Sequence, residues 1–149
     1  MTTYDNVAPE GPKGLGGWLI LPMLGTLVSP FVLLFDLSDS LKIIEGNPPL
    51  QNLEADLLLK FGIMAQIVML LGWIVAIVLM FQHKRAFPKL YIGLVTTALF
   101  VAVVVAYFGE ELGMSLNKRM VALIRPLANL AIWGTYLLVS RRVRNTFTQ

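Results

Sequence analysis

The chain has 149 residues, of which 56% are hydrophobic and 14% charged, with a formal net charge of +3. Soluble domains carry roughly 45–50% apolar and about 25% charged residues, so this is the composition of a membrane protein, and the whole-chain charge says nothing about nucleic acid, which is not expected as a partner. The absence of cysteine excludes disulfides, lipoprotein acylation and thiolate metal sites, and a single histidine excludes a multi-histidine metal site.

Residues 1–14 are polar, with two acids and no basic residue before Lys13, and read as an N-terminal tail. No small-residue cleavage pattern interrupts the apolar run that follows, so that run is expected to be retained as a span. Four apolar runs stand out, at about Gly16 to Leu37, Leu57 to Phe81, Phe87 to Phe108 and Met120 to Ser140. Each is close to the roughly 20 residues that a helix needs to cross about 30 Å of hydrocarbon. The predicted architecture is all-α: an integral membrane four-helix bundle forming one domain over 15–140, followed by a basic tail over 141–149. A soluble bundle of four such helices would have almost no polar surface to cover it. The two halves share neither loop lengths nor a Gly/Pro interruption pattern, which argues against an inverted-repeat transporter.

The connections differ in chemistry. "SDSLKIIEGNPPLQNLEAD" between the first two helices holds Asp39, Glu45, Glu54 and Asp56 with a turn at Asn47-Pro48-Pro49; "QHKRAFPKL" between the second and third is short and basic; "GEELGMSLNKR" joins the third to the fourth. Seven basic residues (Lys13, Lys84, Arg85, Lys89, Arg141, Arg142 and Arg144) flank one side, against five (Lys42, Lys60, Lys118, Arg119 and Arg125) on the other. The positive-inside rule then places both termini in the cytoplasm. Lys84, Arg85, Lys89, Arg141, Arg142 and Arg144 abut helix ends directly and are expected to anchor them against anionic headgroups.

Helix faces follow from the 3.6-residue period. Polar, small and aromatic residues share a stripe at Trp18, Pro22, Gly25, Ser29 and Asp36 in the first helix, and at Gly62, Gln66, Met69, Trp73 and Met80 in the second. Corresponding stripes run through Gly93, Thr97, Phe100, Val104 and Tyr107 in the third and Arg125, Asn129, Trp133, Tyr136 and Ser140 in the fourth. These faces are expected to look inward, where small residues permit close approach and polar ones bond between helices. Pro22 and Pro30 are expected to bend the first helix, and Pro126 suits the first turn of the fourth.

The chemistry gathers at one depth, in the outer half of this topology: Asp36, Lys60, Gln66, Tyr107, Arg125 and Asn129. An ionisable side chain within a span costs at least about 2–3 kcal/mol unless it is paired or hydrated. Arg125 is therefore expected to point into the bundle with Asp36 or Asn129 in reach, either as a structural ion pair or as the lining of a pocket that receives an anionic headgroup or a carboxylate. No P-loop, HExxH, GxSxG or cysteine–histidine pair occurs, and "GLGGW" lacks the spacing of a dinucleotide fingerprint. His83 in the basic turn and the adjacent Glu110 and Glu111 read as solvated loop positions, so no catalytic residue, metal site or cofactor is assigned.

"GLGGWLILPMLGTLVSP" (Gly14 to Pro30), "FPKLY" (Phe87 to Tyr91) and "IWGTYLLVSRRVRNTF" (Ile132 to Phe147) resemble the opening, middle and closing signatures of the bacterial membrane proteins grouped as domain of unknown function 2569. The resemblance spans nearly the whole chain and implies a multi-pass, four-helix protein of the inner membrane, with no established activity. On that basis the first functional expectation is a non-enzymatic accessory or interaction protein of the envelope, associated with membrane lipids and with a membrane-protein partner or a second copy of itself. The alternative is a binder or carrier of a lipid or small amphiphile through an outer-leaflet polar cavity around Arg125. A lined cavity favours the second and a filled interior the first. The orientation is tested by single cysteines at Ser40, Ala86 and Gln149: an impermeant thiol reagent applied to intact cells should label only Ser40→Cys, and labelling of Ala86→Cys would invert the assignment.

Overall fold

The computed structural model describes residues 16–46, 53–110 and 114–148. A 3-10 turn at Gly17–Leu19 leads into α1 (Ile20–Gly46), followed by α2 (Leu53–Phe81), α3 (Ala86–Phe108) and α4 (Leu116–Asn129). A π-helical turn at Leu130–Gly134 continues α4 into α5 (Thr135–Val139), and α6 (Arg141–Thr146) closes the chain; no strand occurs among the described residues. The expected tail over 1–14, the Asn47-Pro48-Pro49 turn and Glu111 lie outside the described residues.

Among the described residues four segments are long and apolar enough to cross a membrane: Gly17–Lys42, Asp56–Phe81, Ala86–Phe108 and Leu116–Val139. Their outward surface is apolar, with Phe35 at 73%, Leu71 at 59% and Leu138 at 66% exposure. In water such a surface would drive aggregation, whereas in a bilayer it faces solvent of its own kind. These features mark a multi-pass membrane protein.

The helices overrun the apolar runs. α1 continues past Leu37 to Gly46, α2 starts at Leu53 rather than Leu57, and α4 starts at Leu116 rather than Met120. The backbone ladder does not need apolar side chains, and the overhanging turns carry their own local pairs: Lys42 Nζ to Asp39 Oδ1 at 2.9 Å and Lys60 Nζ to Asp56 Oδ2 at 2.6 Å. α1 is unbroken through Pro22 and Pro30. Near these prolines Thr26 Oγ1 donates to the Pro22 carbonyl (2.8 Å) and Ser29 Oγ to the Gly25 carbonyl (2.7 Å), which occupies hydroxyls that would otherwise face hydrocarbon unbonded.

Packing follows chain order: α1 lies on α2, α2 on α3 and α3 on α4, while α1 and α4 share no comparable interface. Gly72 brings α2 close to α3, since a Cβ there would stand 2.5 Å from Leu94 Cδ2. The core gathers at the end that holds Leu19 and Phe147. Leu19, Ala76, Met80 and Phe87 are fully buried there, joined by Tyr91, Val95, Leu137, Val143 and Phe147.

The α2–α3 turn has a definite cap. His83 takes φ 54°, the left-handed region, while its N–H bonds the Met80 carbonyl (3.1 Å) and the Lys84 N–H bonds the Leu79 carbonyl (3.0 Å). This is the Schellman pattern, with histidine in the place usually held by glycine. The C-terminal segment closes over this turn. Ser140 becomes extended (φ −66°, ψ 123°), which ends the fourth span and redirects the chain. The Phe147 ring then lies 4.8 Å from that of Phe87 and 6.3 Å from that of His83, and Arg85 Nε donates to the Thr148 carbonyl at 2.8 Å. Residues 141–148 are thus a packed cap. Of the six basic side chains assigned to headgroup anchoring, Lys84, Lys89, Arg141 and Arg144 are exposed; Arg85 is tied to the cap and Arg142 is half-buried against Gly16 and Gly17.

Gly17 is the position where this cap demands glycine: its φ is +62°, and a Cβ there would stand 2.5 Å from Arg142 Nη1. Gly17→Ala is expected to cost about 1–2 kcal/mol for the left-handed backbone alone, with displacement of Arg142 added. Gly93→Ala, whose methyl meets nothing within 4 Å, should leave the thermal midpoint in detergent unchanged or raised. Equal losses in the two variants would contradict the cap.

Candidate functional site

Beyond the core, toward the opposite end, α1 and α4 diverge around a cavity of about 980 Å³, at the upper end of the roughly 300–1,000 Å³ usual for small-molecule pockets. One wall is α1, through Gly25, Val28, Ser29, Val32 and Asp36; the facing wall is α4, through Lys118, Val121, Ala122, Arg125, Pro126 and Asn129. Both sets recur at three and four residues, so each is a single helical stripe. Met69 and Trp73 of α2 with Val95, Ala98 and Ala102 of α3 form the back. α1 and α4, which share no interface comparable to those of the neighbouring helices, form its facing walls, so the cavity is a groove between the first and last spans.

Small side chains make the room. Gly25 has nothing within 4 Å of where its Cβ would be, and Ala98, Ala102 and Ala122 line the same space. The floor is rigid: Trp73, 5% exposed, meets Tyr91 edge-on at 5.4 Å, and Tyr91 Oη donates to Asn129 Oδ1 at 2.8 Å. An aromatic edge contact and a hydrogen bond therefore tie α2, α3 and α4 together beneath the groove.

Of the six residues expected to cluster, Asp36, Arg125 and Asn129 line this groove. Asp36 and Arg125 form no ion pair with each other, and neither their carboxylate nor their guanidinium has a hydrogen-bond partner among the described residues. The other three lie elsewhere. Lys60 pairs with Asp56 on the outside of α2. Gln66 sits between α1 and α2, its Nε2 at 3.4 Å from Ser40 Oγ and its Oε1 buried with no partner among the described residues. Tyr107 is 77% exposed and stacks edge-on with Phe108 at 4.8 Å.

Two face assignments are corrected by the structure. In α3 the inward side is Phe87, Tyr91, Leu94, Val95 and Ala102, whereas Gly93, Thr97, Phe100 and Tyr107 turn outward. Thr97 tolerates lipid because its Oγ1 bonds the Gly93 carbonyl at 2.9 Å. In the fourth span the π turn holds one more residue than an α turn. Below Asn129 the fully buried positions are Gly134 and Leu137, and the expected Trp133 and Tyr136 are half-buried beside them, packed against the core. Pro126 lies inside α4, not in its first turn, and supplies no N–H to the Ala122 carbonyl on the groove wall. In the first span Trp18 is exposed, while Leu19, Pro22 and Thr26 are buried.

Sequence reasoning passed over Lys118, which lines the groove, and Tyr91, which supports its floor through Trp73 and Asn129. Tyr91 stands one turn after Phe87 in "FPKLY", and that spacing was the available signal. No group of three His, Cys, Asp or Glu side chains positioned to hold a metal occurs among the described residues.

Comparison with known families now bears on this arrangement. The family described as "Protein of unknown function (DUF2569)" matches residues 12–148. The chain belongs to this family. No curated protein and no solved structure matches it. Residues from all three signature stretches of this DUF2569 protein meet in the cap: Gly16, Gly17 and Leu19 from the first, Phe87 and Tyr91 from the second, and Arg142, Val143 and Phe147 from the third. These motifs hold the closed end of the bundle, and Tyr91 reaches from them to the groove floor. Tyr91→Phe should lower thermal stability by about 0.5–1.5 kcal/mol through the lost bond to Asn129, while Tyr107→Phe should have no effect. Equal midpoints for both variants in a detergent melt would count against the floor described here.

Proposed function

We propose that this protein is a non-enzymatic inner-membrane binder of a lipid or small amphiphile, held in the groove between α1 and α4. The observation that carries this reading is the groove itself: largely apolar walls, a place between the first and last spans, and a carboxylate and a guanidinium among its lining without partners among the described residues. Apolar walls accept a chain, and the charged belt accepts a headgroup. With both termini and the basic α2–α3 turn in the cytoplasm, as the distribution of Lys and Arg favours, the groove opens in the outer leaflet. The accessory role draws its support from a filled interior, and the space between α1 and α4 is a cavity instead.

Ala122→Phe, which places a ring in the groove, tests the reading. Native mass spectrometry of protein extracted in gentle detergent should show the co-purifying amphiphile reduced about tenfold, the equivalent of roughly 1.4 kcal/mol in binding, with the thermal midpoint largely preserved. Undiminished retention by a folded Ala122→Phe protein would remove the groove from consideration.

A further inference from the structure

The two stranded charges specify more than an amphiphile. Asp36 lies roughly two turns inside the Lys42 end of the first span, and Arg125 roughly two and a half turns inside the Leu116 end of the fourth, so they face the groove from opposite walls at similar depth. Opposite charges at one depth in a membrane lower their energy by pairing. These two do not pair. The groove is therefore complementary to a molecule that brings both charges with it.

Resting on the groove-binding reading, we propose that the ligand is a phospholipid whose headgroup joins a phosphate to a primary amine. The planar guanidinium of Arg125 donates two parallel N–H bonds to phosphate oxygens, and the ammonium donates N–H bonds to the Asp36 carboxylate. A choline headgroup has no N–H for Asp36. Its usual recognition by an aromatic cage also has no counterpart here, since Trp73 is the one aromatic side chain among the lining residues and belongs to the floor. A purely anionic headgroup satisfies Arg125 and leaves the carboxylate facing like charge. Lys118 does not change this balance: it lines the groove about two turns nearer the Leu116 end than Arg125, where its stem carries the ammonium out to interfacial water.

The ligand's neutrality also fits the other groups present. Ser29 Oγ is engaged with the Gly25 carbonyl and Asn129 Oδ1 with Tyr91, and of the charged lining residues Arg125 and Asp36 lie deeper than Lys118 at the rim.

The test is competition binding on the full chain in detergent, read by native mass spectrometry. Phosphatidylethanolamine, phosphatidylcholine and phosphatidylglycerol of matched acyl chains are offered at equal concentration. The unmodified protein is expected to retain phosphatidylethanolamine about tenfold over each of the others, the size of one charge-assisted hydrogen bond. Asp36→Asn should bring phosphatidylethanolamine and phosphatidylglycerol to near parity, Asp36→Glu should restore much of the preference, and Arg125→Gln should weaken all three. Phosphatidylglycerol bound as well as or better than phosphatidylethanolamine by the unmodified protein, and lost on Ala122→Phe, overturns the headgroup assignment while the groove reading stands. Retention of none of the three, with Ala122→Phe indistinguishable from the unmodified chain, overturns both.

Discussion

The contact between Phe147 and Phe87 governs the rest of this molecule, because it converts a row of four sequentially packed helices into a bundle closed at one end. Lipid offers no hydrophobic drive to bring apolar helices together, so closure has to come from packing and polar contacts. The cap provides these at the level where the chain leaves the bilayer. Phe147 enters the core, Arg85 holds the Thr148 carbonyl, and Arg142 covers Gly16 and Gly17. The first and last spans are joined there through the turn between the middle two, and they need not meet again.

That division of labour explains how polar chemistry is tolerated within the spans. The capped half buries Leu, Met, Phe and Val side chains densely, whereas the other half keeps its glycine and alanines on the groove and its charges apart. A cavity next to a rigid floor is a stable arrangement only if something else supplies the helix association. Here the floor is the Trp73–Tyr91–Asn129 chain of contacts, and Tyr91 belongs equally to the cap and to the groove.

Much of this was legible in the residues. The four spans follow from hydropathy, the buried Met69, Trp73 and Met80 follow from periodicity on α2, and Asp36, Arg125 and Asn129 line one groove as charge and depth suggest. What hydropathy cannot give is azimuth where a face is decided by neighbours. Lys60 and Tyr107 stand at the right depth on the wrong side, and Thr97 and Gly93 have the small, polar character of an interface while facing lipid. The helix ends were misplaced because apolar runs record the bilayer, and the backbone continues beyond it. The C-terminal segment reads as a basic tail by charge alone; Val143 and Phe147, spaced one turn apart on either side of Arg144, are what bury it. The π turn leaves no trace in composition, and below Asn129 the fully buried positions are Gly134 and Leu137, with Trp133 and Tyr136 half-buried against the core.

That turn also keeps the angular phase between the two ends of the last span. α5 is locked from below by Leu137 in the core, and α4 above carries Arg125 and Asn129. A π turn packs one more residue than an α turn into nearly the same rotation, so Leu130–Gly134 takes up its extra residue while the rods on either side keep their alignment. Removing one residue there should restore an uninterrupted α-helix with Arg125 still on the groove. Because each residue of an α-helix advances about 100° around the axis, removing one between Arg125 and Asn129 would instead turn Arg125 away from the groove while the capped end stays where it is. The last span thus tolerates a change of length at its π turn and not in the α-helix beside it.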